Sequence, residues 1–191
     1  DRLGIDPDQP HHGDRHYLGN AAKHREIRPD ELLRIDLWGK LNQPGSVYAD
    51  ITWMAYTGTA VPAEYADAFR AITAGRDAAI ALVEGAAREG REIRGFEVDR
   101  ACRDVSVAAG YGDKFVHRTG HSLGEEVHGN GVHMDDYETH DDRRLLPGTG
   151  FTIEPGVYTE SWGLRTEVNM VVGSRDATVT GARQSEILTL A

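Results

Sequence analysis

The sequence predicts an α+β fold in which antiparallel sheets pack against helices. Two segments near the start alternate apolar and polar residues on either side of a Pro-Gly turn. Two segments in the middle repeat apolar residues at helical spacing, and two further alternating segments lie near the end. The order is therefore hairpin, helices, hairpin. Because no low-complexity tract or linker interrupts it, we predict a single domain over residues 1–191.

The first hairpin follows a polar stretch, residues 1–30, whose composition is typical of a loop. Residues 31–41 (ELLRIDLWGKL) and residues 47–56 (VYADITWMAY) both alternate with the period of two that a strand requires. Between them, Pro44 fixes φ and Gly45 permits positive φ, which is typical of a turn. The two segments are therefore predicted to pair as antiparallel strands.

Two amphipathic helices are predicted next. The first starts at Pro62, a favoured first helical residue, and ends near Gly90; its apolar stripe is Tyr65, Phe69, Ile72, Ile80, Val83 and Ala87. The second stops at Gly110, and its stripe is Val98, Ala101, Cys102, Val105 and Ala108. Cys102 lies on that stripe, so we expect a buried, inert thiol rather than a nucleophile.

The last predicted elements are two paired strands. Residues 150–158 (GFTIEPGVY) and residues 164–173 (LRTEVNMVVG) flank the loop TESWG. Before them, the acidic run between Asp135 and Asp142 is interpreted as a solvated loop.

Composition excludes several classes of protein. A formal net charge of −10 argues against nucleic-acid binding, which requires basic surfaces. A single cysteine excludes an intramolecular disulfide framework and a cysteine-rich zinc module. No apolar run approaches the ~20 residues of a membrane span, and no signal peptide is visible, so no membrane partner and a cytoplasmic location are expected.

Four carboxylates occupy matching places on the two hairpins. Asp36 and Asp50 are equidistant from position 43 in the first turn, so we expect them to lie opposite each other on one face. Glu154 and Glu167 are placed in the same way about the second loop. Facing carboxylates repel unless a cation lies between them, and with His121 they suit two divalent ions. The alternative is that each pair lies on a solvated sheet face.

Residues 117–128 (HRTGHSLGEEVH) support two competing hypotheses. Gly120 to Gly124 fits G-x-S-x-G, the nucleophile elbow of serine hydrolases, with Ser122 as nucleophile. The same stretch spaces three histidines that could serve a metal site. An elbow needs a helix after the serine, but EEVHGNG has two glycines in short order and is a poor helix former. We therefore favour His121 as the reactive residue.

Five short motifs, taken together, resemble one family. ID (35–36), YADIT (48–52), HRTGHSLGEEVH (117–128), FTIEPGVY (151–158) and LRTEV (164–168) occur in the order found in the pita-bread metallopeptidases. The sequence is most similar to the Xaa-Pro dipeptidase (prolidase) and aminopeptidase P branch, from about residue 14 to the end. The resemblance implies a curved antiparallel sheet covered by helices. It also implies that the leading helices, the first strand and the N-terminal domain are missing from these 191 residues.

The resemblance also implies roles for individual residues. Asp36 would bind one metal ion, His121 and Glu154 the other, and Asp50 and Glu167 would bridge the two. Glu154 would also act as the general base. The implied substrate-side histidines are His16, His117 and His128. Arg165 would contact a ligand carboxylate and hold it in place without itself binding metal.

The activity that the resemblance implies is metal-assisted hydrolysis of an N-terminal Xaa-Pro, or similar, peptide bond in a small peptide, by attack of a metal-bridging hydroxide. Manganese is the metal expected first, with cobalt, zinc and iron as alternatives. The resemblance suggests a homodimer. Two other functions remain open at this stage: a catalytically silent pita-bread binding protein, and a metal-dependent hydrolase with a non-peptide substrate.

Overall fold

The computed structural model describes residues 26–190, which form two long helices, nine strands and one turn of 3₁₀ helix (Gly112–Lys114). The helices are α1 (Ala63–Glu89) and α2 (Gly95–Ala108). The strands are β1 (Leu32–Gly39), β2 (Ala49–Tyr56), β3 (Ser122–Leu123), β4 (Gly150–Ile153), β5 (Gly156–Tyr158), β6 (Gly163–Arg165), β7 (Val168–Val172), β8 (Ala177–Thr180) and β9 (Leu188–Thr189). This order confirms the predicted α+β layout.

Helix α1 has the predicted bounds, and its ends follow from the residues there. Pro62 caps the N-terminus, and Gly90 caps the C-terminus with a φ of 67°, a left-handed conformation that suits glycine. The Gly90 N–H donates to the carbonyls of Ala86 and Ala87. The predicted apolar stripe is the buried face, since Phe69, Ile72, Ile80 and Val83 are all at most 1% exposed.

Helix α2 packs closely against α1. A Cβ added to Gly75 of α1 would lie 2.9 Å from the Cys102 carbonyl oxygen, so a larger residue there would push the helices apart. Cys102 is fully buried, and that burial raises the pKa of its thiol to about 12. The prediction of an inert cysteine is confirmed.

The first hairpin differs from the prediction in its register. Asp36 lies opposite Thr52, and Asp50 lies opposite Trp38, so the two aspartates are diagonal neighbours rather than a facing pair. The reason is that the turn is centred on position 44, one residue later than the predicted midpoint. A shift of the midpoint by one residue moves the pairing by two positions, which keeps both aspartates on the same face.

The face that carries these aspartates is the buried one. Asp36 and Asp50 are 7% and 6% exposed, whereas Ile35 and Leu37 on the opposite face are 45% and 47% exposed. The β6–β7 connection lies against the aspartate face, where the Glu167 N–H donates to the Thr52 carbonyl at 3.3 Å. The alternative of a solvated carboxylate face is therefore wrong for this hairpin.

The second hairpin is interrupted in the middle. β4 pairs with β7 and β5 pairs with β6, and both pairings belong to one continuous register. The predicted strands are each divided because Pro155, which has no N–H to donate, lies at the break. The shared register places Glu154 opposite Glu167 at this interruption, as predicted.

Three short strands, β3, β8 and β9, carry too little pattern to be predicted from the sequence. β3 and β8 flank the β4–β7 pair, and β9 lies parallel to β2. The larger part of the core lies between α1, α2 and the β3-β4-β7-β8 sheet, and a second part lies under β2, β5 and β6. None of the helices among residues 26–190 is long and apolar enough to cross a membrane.

The acidic run is a loop, as predicted, and Glu138 and Asp142 are exposed, but Asp135 and Asp141 are not solvated. Asp135 and Asp141 are 0% and 6% exposed. The Asp135 carboxylate accepts hydrogen bonds from three backbone N–H groups, those of Tyr137, Glu138 and Thr139. Asp135 thus satisfies the backbone donors of a tight turn. Asp141 accepts the His133 N–H at 2.8 Å and the Arg143 N–H at 3.1 Å, and pairs with the Arg143 guanidinium.

Candidate metal centre

Side chains from four separate segments converge beside the break in the second hairpin. The Nε2 atom of His121 lies 3.6 Å from Oδ2 of Asp50 and 3.4 Å from Oε1 of Glu154. One ligand atom each from Asp50, His121 and Glu167 lies within 4.8 Å of the other two. These residues could hold a metal ion, because their carboxylate and imidazole atoms surround one point.

Arg165 joins Asp36 to the same cluster. Its Nη2 donates to Asp36 Oδ2, and its Nη1 lies 3.3 Å from Glu154 Oε2. Its Nε donates to the Thr52 hydroxyl at 3.3 Å. The guanidinium is 6% exposed, so it acts as a buried counter-charge for two of the carboxylates. The structure therefore brings all five implied ligands and Arg165 into one place.

Two threonine hydroxyls each hold one glutamate. The Thr52 hydroxyl donates to Glu167 Oε2 at 2.6 Å. The Thr152 hydroxyl donates to Glu154 Oε1 at 3.1 Å and accepts the His121 N–H at 2.9 Å. Both threonines are fully buried, so their hydrogen bonds fix the rotamers of the two glutamates.

Asn169 fixes the backbone of Asp50. Its side-chain oxygen accepts the Asp50 N–H at 3.0 Å, and its amide nitrogen donates to the Asp50 carbonyl. The roles of Asn169, Thr52 and Thr152 were not predicted from the sequence. The signal was present, because each lies two residues from an implied ligand, on or beside the same strand, and strand periodicity puts such residues on one face.

The tautomer of His121 follows from its hydrogen bonds. Its Nδ1–H donates to the Ser122 carbonyl at 3.1 Å, so the neutral ring turns the Nε2 lone pair toward the carboxylates of Asp50 and Glu154. Burial lowers the pKa of His121 to about 4, which keeps the ring neutral near pH 7. A lone pair facing carboxylate oxygens is repulsive, and a cation between them removes that repulsion.

The carboxyl groups show the opposite shift. Burial raises the pKa of Asp50 to about 7, and burial together with the charge of Asp50 raises that of Glu167 to about 8. Burial and the neighbouring charges of Glu167 and Asp50 also raise the pKa of Glu154 well above its usual value. Among the described residues, Asp50 Oδ1 and Glu167 Oε1 are buried and have no hydrogen-bond donor. These carboxylate and imidazole ligand atoms fit divalent ions. Such ions would bind the two oxygens that lack a hydrogen-bond donor and would neutralise the negative charge of the cluster.

These shifts predict how the stability of the metal-free protein depends on pH. A carboxyl whose pKa is raised on folding binds more protons in the folded state, so its contribution falls as pH rises toward the folded pKa. The lowered pKa of His121 acts in the opposite direction, but only between about pH 4 and 6.5. Between pH 6.5 and 8.5 we therefore expect the free energy of unfolding to fall by about 1.4 kcal/mol per pH unit for each extra proton bound.

Urea denaturation of chelator-treated protein, followed by circular dichroism at several pH values, measures this dependence. The matched control is the same titration with added Mn²⁺, where the decline is expected to flatten because the metal replaces the protons. A metal-free protein whose stability rises from pH 6.5 to 8.5 would contradict the assignment of these buried carboxyls as a cation site.

The comparisons with known proteins decide the family. Residues 8–174 match the sequence model of the family described as "Metallopeptidase family M24". The chain belongs to metallopeptidase family M24. It is 31% identical over 172 residues to a probable dipeptidase PepE from Mycobacterium tuberculosis, covering 90% of this chain but only 41% of that relative.

The solved structures agree with this assignment to M24. Dipeptidase PepE from Mycobacterium ulcerans has a TM-score of 0.77 at 30% identity, covering 95% of this chain and 45% of that one. A prolidase from Thermococcus sibiricus has a TM-score of 0.70 at 26% identity, covering 88% and 42%. The fold is thus the pita-bread fold of the M24 peptidases, and this chain spans less than half of these relatives.

The histidines implied as substrate contacts occupy different settings in this M24 fold. His128 is exposed, and its ring meets that of His121 edge-to-face at 4.3 Å. His117 is 4% exposed; its Nδ1–H donates to the Arg118 carbonyl at 2.6 Å, and its Nε2 lies 3.0 Å from the Tyr158 hydroxyl. His16 lies outside the described residues.

The serine hypothesis is not supported by the setting of Ser122. This residue lies within β3 rather than at a strand-to-helix turn, and it is 5% exposed. Its hydroxyl accepts the Gly131 N–H at 3.1 Å. Close packing explains the first glycine of the motif, because a Cβ on Gly120 would lie 1.9 Å from the Thr152 carbonyl oxygen. In this M24 chain the motif therefore serves close packing beside His121.

Proposed function

We propose that this chain is the catalytic part of an exopeptidase that uses two divalent metal ions to hydrolyse an N-terminal Xaa-Pro, or similar, peptide bond. The observation that carries the proposal is the convergence of four carboxylates and one imidazole, two of whose buried oxygens have no hydrogen-bond donor among the described residues. Relatives named dipeptidase, Xaa-Pro dipeptidase and prolidase support a peptide substrate. Because the chain spans only 41% of the PepE relative, the activity of the whole protein is part of the proposal.

The proposed ligands are Asp36, Asp50, His121, Glu154 and Glu167. Two divalent ions held by them would polarise the scissile carbonyl and lower the pKa of water. Manganese is the first candidate, because carboxylate-rich sites with one imidazole suit it. Arg165 neutralises the carboxylates of Asp36 and Glu154 and keeps both pointed into the cluster.

Glu154 is the proposed general base. Its Oε1 receives the Thr152 hydroxyl and lies beside His121 Nε2, so it accepts the proton of the attacking water at the centre of the cluster. His128, exposed above His121, donates a hydrogen bond to the oxygen that gains charge. His117 and His16 are assigned to substrate binding, as the family resemblance implies.

A substrate panel on protein loaded separately with Mn²⁺, Co²⁺, Zn²⁺ or Fe²⁺ tests this proposal. Ala-Pro, Ala-Pro-Gly and the matched dipeptide Ala-Ala are incubated with the chain, and the released amino acids are measured. We expect cleavage of a proline peptide only with metal, and cleavage of Ala-Ala at a lower rate.

The outcomes separate the alternatives left open by the sequence. Release of amino acids from Ala-Ala at an equal rate would support a dipeptidase without preference for proline. Protein that binds about two equivalents of metal, cleaves no peptide and hydrolyses an organophosphate triester would overturn the peptidase proposal. Protein that binds no metal would overturn the catalytic proposal altogether.

A further inference from the structure

Helix α2 binds the segment before His121 through the side chains of Asp99 and Arg103. Arg103 makes two contacts with Asp99, Nε to Oδ2 at 2.9 Å and Nη2 to Oδ1 at 3.0 Å. Asp99 is fully buried, and the Arg103 side chain is 17% exposed. A two-point contact of this kind fixes the plane of the guanidinium as well as its position.

This pair binds three alternate residues of the segment. Arg103 Nη1 donates to the Phe115 carbonyl at 2.8 Å, and Nη2 donates to the His117 carbonyl at 2.7 Å. Asp99 Oδ1 accepts the Thr119 N–H at 2.8 Å. The Thr119 N–H is shared with the Met134 carbonyl at 2.9 Å. The pair therefore ties the backbone of residues 115–119 to α2 at three alternate residues.

Two aromatic rings limit the movement of the guanidinium. Its central carbon lies 4.2 Å from the centre of the Phe115 ring and 4.7 Å from that of the Tyr137 ring. Such stacking favours a planar guanidinium over the compact ammonium of lysine. Lysine at position 103 could keep one ion pair but not the stacking and both carbonyl contacts.

His117 is the residue whose side chain depends most on this arrangement. Its Nδ1–H donates to the Arg118 carbonyl at 2.6 Å, and its Nε2 lies 3.0 Å from the Tyr158 hydroxyl. Both contacts require the backbone at position 117 to keep its place. By contrast, the backbone of His121 is bound independently, because its N–H donates to the Thr152 hydroxyl.

We propose that Asp99 and Arg103 are positioning residues, which set the His117 imidazole against the Tyr158 hydroxyl without contributing to metal binding. The proposal rests on the proposed function for its effect on hydrolysis. The effect on the His117 ring is independent of that function and can be measured separately.

The test compares Arg103→Lys with the parent chain and with Arg100→Lys, a matched control on the same helix whose arginine is more than half exposed. Three quantities are measured: metal content, kcat/KM for Ala-Pro, and the ¹⁵N resonances of the His117 ring, which report its tautomer. For Arg103→Lys we expect unchanged metal content and a shift of the His117 Nδ1 and Nε2 resonances. We also expect a fall in kcat/KM of about 100-fold, as for a misplacement of ~1 Å. Arg100→Lys is expected to match the parent in all three.

The outcomes distinguish this proposal from the proposed function. If the parent chain with bound metal cleaves no peptide, the proposed function fails, and the ring resonances still decide the role of Arg103. Unchanged resonances in folded Arg103→Lys would overturn the positioning proposal, as would a loss of metal. If Arg103→Lys does not fold, Tyr137→Leu removes one stacking ring at a half-exposed position and is expected to shift the same resonances by less; no shift there would also overturn it.

Discussion

Replacing Asp50 with asparagine is expected to remove metal binding and, with it, peptide hydrolysis. Its carboxylate lies 3.6 Å from His121 Nε2 and shares a ligand cluster with His121 and Glu167. An amide carries no negative charge, so the variant should retain well under the ~2 equivalents of metal expected of the parent. Since metal ions contribute several kcal/mol to such reactions, kcat/KM should fall on the order of 10³-fold or more. Elemental analysis and hydrolysis of Ala-Pro measure the two effects.

The same variant also tests whether the loss arises from misfolding. Without metal at pH 8, Asp50→Asn should be at least as stable as the parent, because a buried carboxyl with a raised pKa is replaced by a neutral group. Asp67→Asn on the exposed face of α1 removes the same charge and should change neither metal content nor activity. A fully metallated, active Asp50→Asn protein would refute the assignment of Asp50 as a ligand.

Replacing Arg165 with methionine is expected to produce the largest loss of stability. The guanidinium lies between the buried carboxylates of Asp36 and Glu154, and removing one partner of a buried ion pair costs about 3–5 kcal/mol. Urea denaturation of metal-free protein at pH 8 should show this loss. It should be smaller at pH 5, where Glu154, with its raised pKa, takes up a proton instead.

Two controls accompany this prediction. Arg70→Met removes an exposed arginine paired with Asp67 and should change the free energy of unfolding by no more than ~0.5 kcal/mol. Adding Mn²⁺ should restore part of the stability of Arg165→Met, because the metal supplies positive charge to the same carboxylates. An Arg165→Met protein as stable as the parent at pH 8 would show that the carboxylates do not depend on the guanidinium.

Much of the fold could be predicted from local patterns in the sequence. The bounds of α1 follow from Pro62 and Gly90, whose backbone preferences act within one turn of helix. The pairing of Glu154 with Glu167 follows from a short, well-defined loop. The predicted register of the first hairpin was wrong, because no local feature of its longer turn distinguishes a turn centred on residue 43 from one centred on residue 44.

The support around the candidate ligands was harder to predict than the ligands themselves. The five ligand positions came from recognisable motifs in a fixed order. Arg103 of helix α2 binds the carbonyls of Phe115 and His117, which lie more than ten residues later in the sequence. No local pattern predicts these contacts. Asp135 was misjudged for a similar reason, since its burial depends on backbone donors that only the folded turn provides.

The α+β class, the two helices, the acidic and imidazole side chains of the candidate site, and the family resemblance all follow from local features of the sequence. They depend on periodicity and on short motifs, which act over a few residues. Tertiary packing, by contrast, determines that the face bearing Asp36 and Asp50 is buried while Ile35 and Leu37 face outward. That choice depends on what packs against the sheet. The end of β6, the β6–β7 connection and the start of β7, more than a hundred residues later in the chain, bring Arg165, Glu167 and Asn169 to that face.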